Sequence, residues 1–411
     1  MPNVLLLCEY PTLNGAEQSM LATLEGVGRA GFRVAVAAPP AGPLADTLRA
    51  RGIEVEPLGG TGSLAASEAG GTGSLAASEA GGTGSLSASE AHGLTSSPCH
   101  PSQAQRRREL AALIARRRPD LVHANSLSMG RLSGPVVAGL GIPSIAHLRD
   151  IVHLSRQAVA DLNRHTRLLA VSEATRAFHA RQGLDAGKLH VLYNGVDPAR
   201  FAPRRADGWL HRELGLPESA LLVGTIGQIG LRKGQDVLAR AAAEIASRRP
   251  EVHFVVVGER HSAKAESLQF ADSLEQAARR MPGRFHCLGR RDDVPRLMNE
   301  LALLVHPARQ EPLGRVLLEA AASGLPVVAT AVGGTAEIFP PGSSSAVLVP
   351  PDDAGSLAAA VLDLLADAPR RALLGAAARR RALAAFDAAG AAQRLAEHYR
   401  EVCRPERKGR K

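Results

Sequence analysis

Apolar residues in this chain fall into short solid runs, separated by longer stretches with helical spacing. Val4 to Cys8, Phe32 to Ala38 and Ile53 to Leu58 are such runs near the start. Later ones are Leu121-Val122, Pro143 to Leu148 and Leu168 to Val171. A second series holds Leu221 to Ile226, Val252 to Val257, Phe285 to Gly289, Leu301 to Val305, Val327 to Thr330 and Ala346 to Val349. Solid runs of this length predict strands buried on both faces, which is the habit of parallel sheets. Between them, Met20, Leu21, Leu24 and Val27 recur as on a helix, and so do Val316, Leu317, Ala320 and Ala321. Strand and helix alternate throughout, so the fold class is α/β.

With 411 residues, two domains are the natural division. Residues 1–197 form one Rossmann-like series and 218–385 a second, joined by a Pro- and Arg-rich linker at 198–217. Residues 353–381 predict Ala-rich helices. A last helix, within 386–411, ends in a basic tail. Residues 59–103 break the pattern. An 11-residue unit, Gly-Gly-Thr-Gly-Ser-Leu-Ala-Ala-Ser-Glu-Ala, repeats from 59, 70 and 81. Each copy has one Leu to bury and a glycine-rich break, so the stretch predicts a flexible insertion in a surface loop rather than a solenoid.

Composition narrows the classes. Aromatics are only 3%, which leaves little for stacking on bases, and no nucleic-acid reader motif occurs. The net charge is +9, from arginine clusters at 106–108, 116–118 and 379–381 and the tail. These read as solvated helix faces, with attraction to an anionic membrane surface or to nucleotide-linked substrates as the functional alternative. Cys8, Cys99, Cys287 and Cys403 are scattered without metal-ligand spacing, which fits a reduced, cytoplasmic setting. The N-terminus lacks the form of a signal peptide, and no apolar run is long enough to span a membrane. Any membrane contact is therefore expected to be peripheral, on the inner face.

The chemistry concentrates in two loops of the second series. After the strand ending at Ile226 comes Gly227-Gln-Ile-Gly-Leu-Arg232-Lys233-Gly234. A glycine turn with two cations at a helix start is what a diphosphate requires: close backbone approach, donors and positive charge. After the Leu301–Val305 run comes His306-Pro-Ala-Arg-Gln-Glu311-Pro-Leu-Gly314-Arg315-Val316-Leu-Leu-Glu319. Pro307 and Pro312 hold this stretch in a loop, and Gly314 opens a helix. Its first N–H groups, at Gly314, Arg315 and Val316, are free for an anion.

The two glutamates seven residues apart, followed by Ala-Ser-Gly-Leu-Pro-Val-Val-Ala-Thr (322–330) and Val-Gly-Gly-Thr-Ala-Glu-Ile (332–338), resemble the signature of family-4 retaining glycosyltransferases. The resemblance implies the GT-B fold, two Rossmann-like domains facing across a cleft. It implies transfer of a sugar from a nucleotide-diphosphate sugar to a carbohydrate, lipid or small-molecule hydroxyl, with no cofactor and no metal; no Asp-x-Asp occurs in the chain. By the same match Arg232, Lys233 and Glu311 are catalytic: the two cations grip the diphosphate and Glu311 orients the sugar. Glu319 accepts the ribose hydroxyls. Gly227, Leu288 and Arg290 complete the donor side. On the acceptor side the match points to Gly15 and Glu17, with Asn14 where the family carries another glycine, and to His123, Asn125 and His147 at strand ends. The final helix is expected to cross back onto the first domain. Two other readings stay open: a non-catalytic nucleotide-sugar-binding module, and a glycoside hydrolase using the two glutamates as acid and base.

Overall fold

The computed structural model describes residues 1–59 and 102–404, so the 11-residue repeats, Cys99 and the basic tail lie outside the described residues. The first lobe is built on β1 (Asn3–Leu7), β2 (Arg33–Ala38), β3 (Glu54–Pro57), β4 (Leu121–Ala124), β5 (Ser144–Leu148), β6 (Arg167–Ala170) and β7 (Leu189–Val191). They form one sheet in the order β3-β2-β1-β4-β5-β6-β7 with every pairing parallel. The second lobe holds β8 (Leu221–Ile226), β9 (Val252–Val257), β10 (Phe285–Cys287), β11 (Leu303–His306), β12 (Val327–Thr330) and β13 (Val347–Val349). Their order is β10-β9-β8-β11-β12-β13, again all parallel. The solid apolar runs are the cause. Val252–Val257 is buried at every residue, which only a strand covered on both faces permits.

Parallel neighbours need a crossover, and the helices between strands supply it. In each sheet the order turns back once, between β1 and β4 and between β8 and β11. At such a point the loops leaving adjacent strands diverge to opposite faces, and a crevice opens at the carboxyl ends. Both crevices carry candidate residues.

Helices Gln103–Arg117 and Leu127–Leu140 cover one face of the first sheet through Leu110, Leu113, Ile114, Met129 and Leu132. The other face, with Val4, Leu121, Ile145 and Leu169, is covered by the last helix, Ala388–Cys403, through Leu395, Ala396 and Tyr399. The chain thus returns to its first lobe at the end. The return is pinned where Val196 N–H donates to Phe386 O at 2.8 Å and Ala388 N–H donates to Val196 O at 3.0 Å.

The stretch 198–217 is more than a connector. Trp209–Glu213 is a helix, and Phe201, Trp209 and Leu210 are buried in the second lobe's core. Proline and arginine content suggested a linker, but three bulky apolar residues decide the packing. The arginine clusters also divide. Arg107 pairs with Asp161, and Arg116 and Arg117 pair with Glu56 and Glu54, on the first lobe's surface. Arg379 and Arg381 are no solvated face: they donate to the carbonyls of Ala322, Glu337 and Ile338.

The helix Gly15–Arg29 lies so close to the last helix that a Cβ on Gly26 would fall 2.5 Å from Ala392 Cβ. Gly26→Leu is expected to cost roughly 1–3 kcal/mol by overpacking. Gly28, two residues on, has open space around the same position. Gly28→Ala is expected to gain up to about 1 kcal/mol, because glycine is a poor helix former. Denaturant unfolding of both variants checks the pair of opposite signs.

Candidate functional site

At the carboxyl end of β8 the chain makes a 3-10 turn, Leu231–Lys233, and enters the helix Gln235–Arg248. Gly234 joins the two with φ 65°, and a Cβ there would lie 1.9 Å from Pro307 O in the loop after β11. Glycine is therefore the residue that lets the two loops touch. Arg309 then clamps them. Its Nη1 donates to Leu231 O at 2.8 Å, its guanidinium meets both Asp236 oxygens at 2.8 and 2.7 Å, and its Nε meets Asp352 at 2.7 Å.

This brings Lys233 to Glu311. Lys233 Nζ lies 2.5 Å from Glu311 Oε2, and His306 Nε2 lies 2.7 Å from the same oxygen. Burial alone would raise the Glu311 carboxyl. Lys233, and after it His306, outweigh burial and hold Glu311 well below the usual carboxylate range. His306 is wholly buried, and burial depresses its pKa despite Glu311 beside it. It is therefore a neutral imidazole whose Nε2–H donates to the carboxylate, since an ionised carboxylate can only accept. Both bonds fall on Oε2, which leaves Oε1 for another donor. Gly334 N–H donates to Glu311 O at 2.9 Å, and Gly333 (φ 51°) sits where a Cβ would be 1.9 Å from that oxygen. The Val-Gly-Gly-Thr motif is thus the seat of the Glu311 backbone.

Three residues past Glu311, Gly314 caps the helix Arg315–Ala322. The N–H groups of Arg315 and Val316 stand in its first turn, without intrahelical acceptors and at the positive end of the helix dipole. Glu319, one turn on, accepts from Arg315 Nε at 2.7 Å. Arg232 makes no ion pair among the described residues; its carbonyl takes Arg309 N–H at 2.9 Å. Gly227 is at the exit of β8. Leu288 and Arg290 follow β10, two strands outward on the same sheet edge. Leu288 N–H is spent on Val256 O at 2.9 Å, and Arg290 faces Glu259 and Asp292.

The first lobe divides its candidates. Asn125 stands at the exit of β4, where its side-chain carbonyl accepts from Arg149 Nη2 at 2.8 Å. Gly15 opens its helix with free space around it. Glu17 is buried, with Oε2 accepting Asn14 N–H at 3.2 Å, so it caps its own helix. His123 and His147 are not at the cleft surface. They are 2% and 3% exposed and stack on each other 5.6 Å apart. His123 Nδ1 meets Tyr399 OH at 2.7 Å, and His147 Nδ1 meets Arg149 Nη2 at 3.1 Å. Strand parity is the reason. His123 points with Leu121 to the face under the last helix, while Asn125 lies beyond the strand.

Residue type and spacing did not reveal Arg149, Glu9, His306, Arg309 or Glu337. Arg149, at the end of β5, donates to Asn125 O and Asn194 Oδ1, each at 2.9 Å. Glu9, at the end of β1, is buried and accepts from Ser126 and Ser128. The strand-end rule that singles out Asn125 covers both.

The lobes meet beside this site. Ser172 and Thr175 hydroxyls donate to Pro312 O at 2.5 and 3.2 Å. Glu337 accepts the N–H groups of Glu173 and Ala174, both at 2.8 Å, and Tyr193 OH at 2.8 Å. A carboxylate from one lobe thus caps a helix start of the other.

Residues 13–200 match the family described as "Glycosyltransferase Family 4", and residues 220–367 match "Glycosyl transferases group 1". A D-inositol 3-phosphate glycosyltransferase of Salinispora arenicola is 36% identical over 169 residues, covering 38% of this chain and 37% of the relative. One from Stackebrandtia nassauensis is 37% identical over 209 residues, covering 47% of this chain and 44% of the relative. The chain thus spans less than half the length of these relatives. Among solved structures, HepE of Anabaena with UDP-glucose superposes with a TM-score of 0.79 at 23% identity, covering 98% of this chain and 100% of that one. Sucrose-phosphate synthase of Thermosynechococcus elongatus gives 0.73 at 22%, covering 98% and 99%. These likenesses establish the GT-B fold.

Glu311 ties the site to stability. Its folded pKa lies below its unfolded value, about 4.3, so the ionised group stabilises the fold above that pH. The contribution drains as pH falls toward the folded value. The stability gap between the protein and Glu311→Gln is expected to be widest near neutrality and to begin narrowing steadily below about pH 4. Lys233→Met, which strands a buried charge, is expected to cost roughly 3 kcal/mol. Urea unfolding across pH 3–7 checks both.

Proposed function

The chain belongs to the family-4 glycosyltransferases, and on that footing we propose that it moves a glycosyl group from a nucleotide-diphosphate sugar to an acceptor hydroxyl. The observation that carries the reading is Glu311, kept ionised by Lys233 and His306 one loop turn from an open helix start. A carboxylate beside an anion seat suits a ligand with sugar hydroxyls at one end and phosphates at the other.

In this scheme the helix-start amides at Arg315 and Val316, with Arg232 and Lys233, receive the diphosphate. Glu319 turns from Arg315 to the ribose hydroxyls. Glu311 Oε1 takes a hydroxyl of the transferred sugar and sets its ring. The bond from the anomeric carbon to the phosphate oxygen breaks while the acceptor oxygen bonds to the same face of that carbon. The acceptor proton passes to the departing phosphate, so configuration is retained and no side-chain nucleophile is required. Cationic side chains and the helix dipole neutralise the leaving group in place of a divalent ion. The nucleotide sugar is a substrate, and no cofactor enters. Asn125 and Gly15, at the first lobe's crevice, face the acceptor, which is a carbohydrate, a lipid or a small molecule. No helix among the described residues is long and apolar enough to cross a membrane. For a lipid acceptor, the exposed Arg108 and Arg118 suit peripheral contact with an anionic surface.

Thermal shift with UDP-, GDP- and ADP-sugars is expected to single out one base, with a gain of about 2.7 kcal/mol at a hundredfold excess over Kd. UDP-glucose, the ligand in the HepE complex, is the first to try. Glu319→Ala is expected to weaken that binding, and Lys233→Ala to cut turnover, with EDTA leaving turnover unchanged. Turnover is measured as release of nucleoside diphosphate with labelled sugar. Binding without any turnover would favour a non-catalytic module, and near-normal transfer by both variants would overturn the assignments.

A further inference from the structure

One strand of the second lobe breaks its own pattern. β9 is apolar at every position but one, and the exception is His253. Its neighbour β10 repeats the exception, with His286 between Phe285 and Cys287. Side chains alternate across a sheet, so Phe254 and Phe285 share one face, their ring centroids 6.0 Å apart, and the two histidines share the other. There the imidazoles lie nearly parallel, with 24° between planes and 5.5 Å between centroids. His253 Nδ1 is 3.3 Å from His286 Nε2.

That separation is long for an N–H hydrogen bond, whose usual range ends at about 3.2 Å. Two zinc–nitrogen bonds of about 2.0–2.1 Å, set at the tetrahedral angle, hold their nitrogens about 3.3–3.4 Å apart. The Gly283 carbonyl also reaches both rings. It can only accept, so it competes for the N–H that would bridge them. Burial holds both imidazoles below their ordinary pKa, and the neutral ring is the form that ligates a metal. His253 is buried, while His286 is half-buried on the edge strand, which leaves the pair open on its outer side. The other basic groups here are engaged with backbone. Arg284 Nη1 donates to Val252 O at 3.3 Å, and His211 Nε2 to Ala220 O at 3.0 Å.

We propose that His253 and His286 form a seat for one zinc ion, which clips the edge strand β10 to β9. No third His, Cys, Asp or Glu joins them among the described residues, so water completes the coordination. Imidazole suits zinc, whereas magnesium takes oxygen ligands. His253 is at the amino end of β9, and the candidate donor crevice is at the carboxyl ends of the same sheet. The seat is therefore separate from that crevice and does not rest on the transferase reading.

Calorimetric titration of zinc chloride, and separately of magnesium chloride, into the untagged full chain dialysed free of metal tests the proposal. The same is done with His253→Gln, His286→Gln and a control, His261→Gln. His261 Nε2 lies 3.4 Å from Glu259 Oε1 on the surface and is a rival place for an adventitious ion. Zinc is expected to bind the unaltered protein one to one and to raise its Tm, with magnesium doing neither. Each variant of the pair is expected to lose about tenfold or more in zinc affinity, together with the gain in Tm, and the control neither. Absence of zinc binding, equal affinity for magnesium, or unchanged zinc affinity in the pair variants overturns the proposal. A loss confined to His261→Gln means an adventitious ion only, and overturns it too. Should His253→Gln fail to fold, His286→Gln, at the half-exposed position, decides alone.

Discussion

The contact between Lys233 and Glu311 is the constraint on which the second lobe's crevice depends. It joins loops that leave neighbouring strands on either side of the point where strand order reverses, where a parallel sheet otherwise leaves a gap. Removing two charges from water is costly, and their attraction repays that only when geometry and further hydrogen bonds are good. Here the supports are explicit. His306 gives Glu311 a second donor, Arg309 fixes the Lys233 turn through Asp236 and Leu231 O, and Gly234 and Gly333 let the backbones approach. A pair of this kind is a poor source of stability and a good source of placement. It fixes where a negative oxygen and a positive nitrogen sit before any ligand arrives.

The same loop also governs how the lobes meet. Pro312 O, one residue past Glu311, accepts from Ser172 and Thr175 of the first lobe. Glu337, just past the two glycines that seat the Glu311 backbone, caps the Glu173–Arg181 helix. The Glu311 carboxylate and the surfaces that join the lobes are thus parts of one short piece of chain. A shift at either reaches the other through a residue or two of backbone.

Much of this was legible in the chain. The strands could be read because parallel sheets demand solid apolar runs, and the Arg-Lys turn and the two glutamates because each sits just past such a run. The structure brings Lys233 and Glu311 together, 78 residues apart in sequence, because the sheet order makes β8 and β11 neighbours. What pattern could not supply was direction and partnership. His123 and His147 looked like cleft residues, yet pleat parity turns His123 toward Tyr399, which lies 276 positions away. Arg309 and Glu337 carry no local mark, since their meaning lies in Asp236 and in the N–H groups of Glu173 and Ala174. Phe201 and Trp209 were overshadowed by the prolines and arginines around them.

The return of the Ala388–Cys403 helix to the first lobe has a consequence for how the polypeptide is made. Leu395, Ala396 and Tyr399 are synthesised after every strand of both sheets, and until they emerge one face of the amino-terminal sheet has only the cover that the Gly15–Arg29 helix gives it. Domains ordinarily fold in the order of their synthesis. This one lacks part of its core until residues 388–403 have emerged, with Leu121, Ile145 and Leu169 short of apolar partners in the meantime. The carboxyl-terminal lobe, whose strands all precede that helix, can consolidate sooner, so vectorial translation here completes the two halves in reverse.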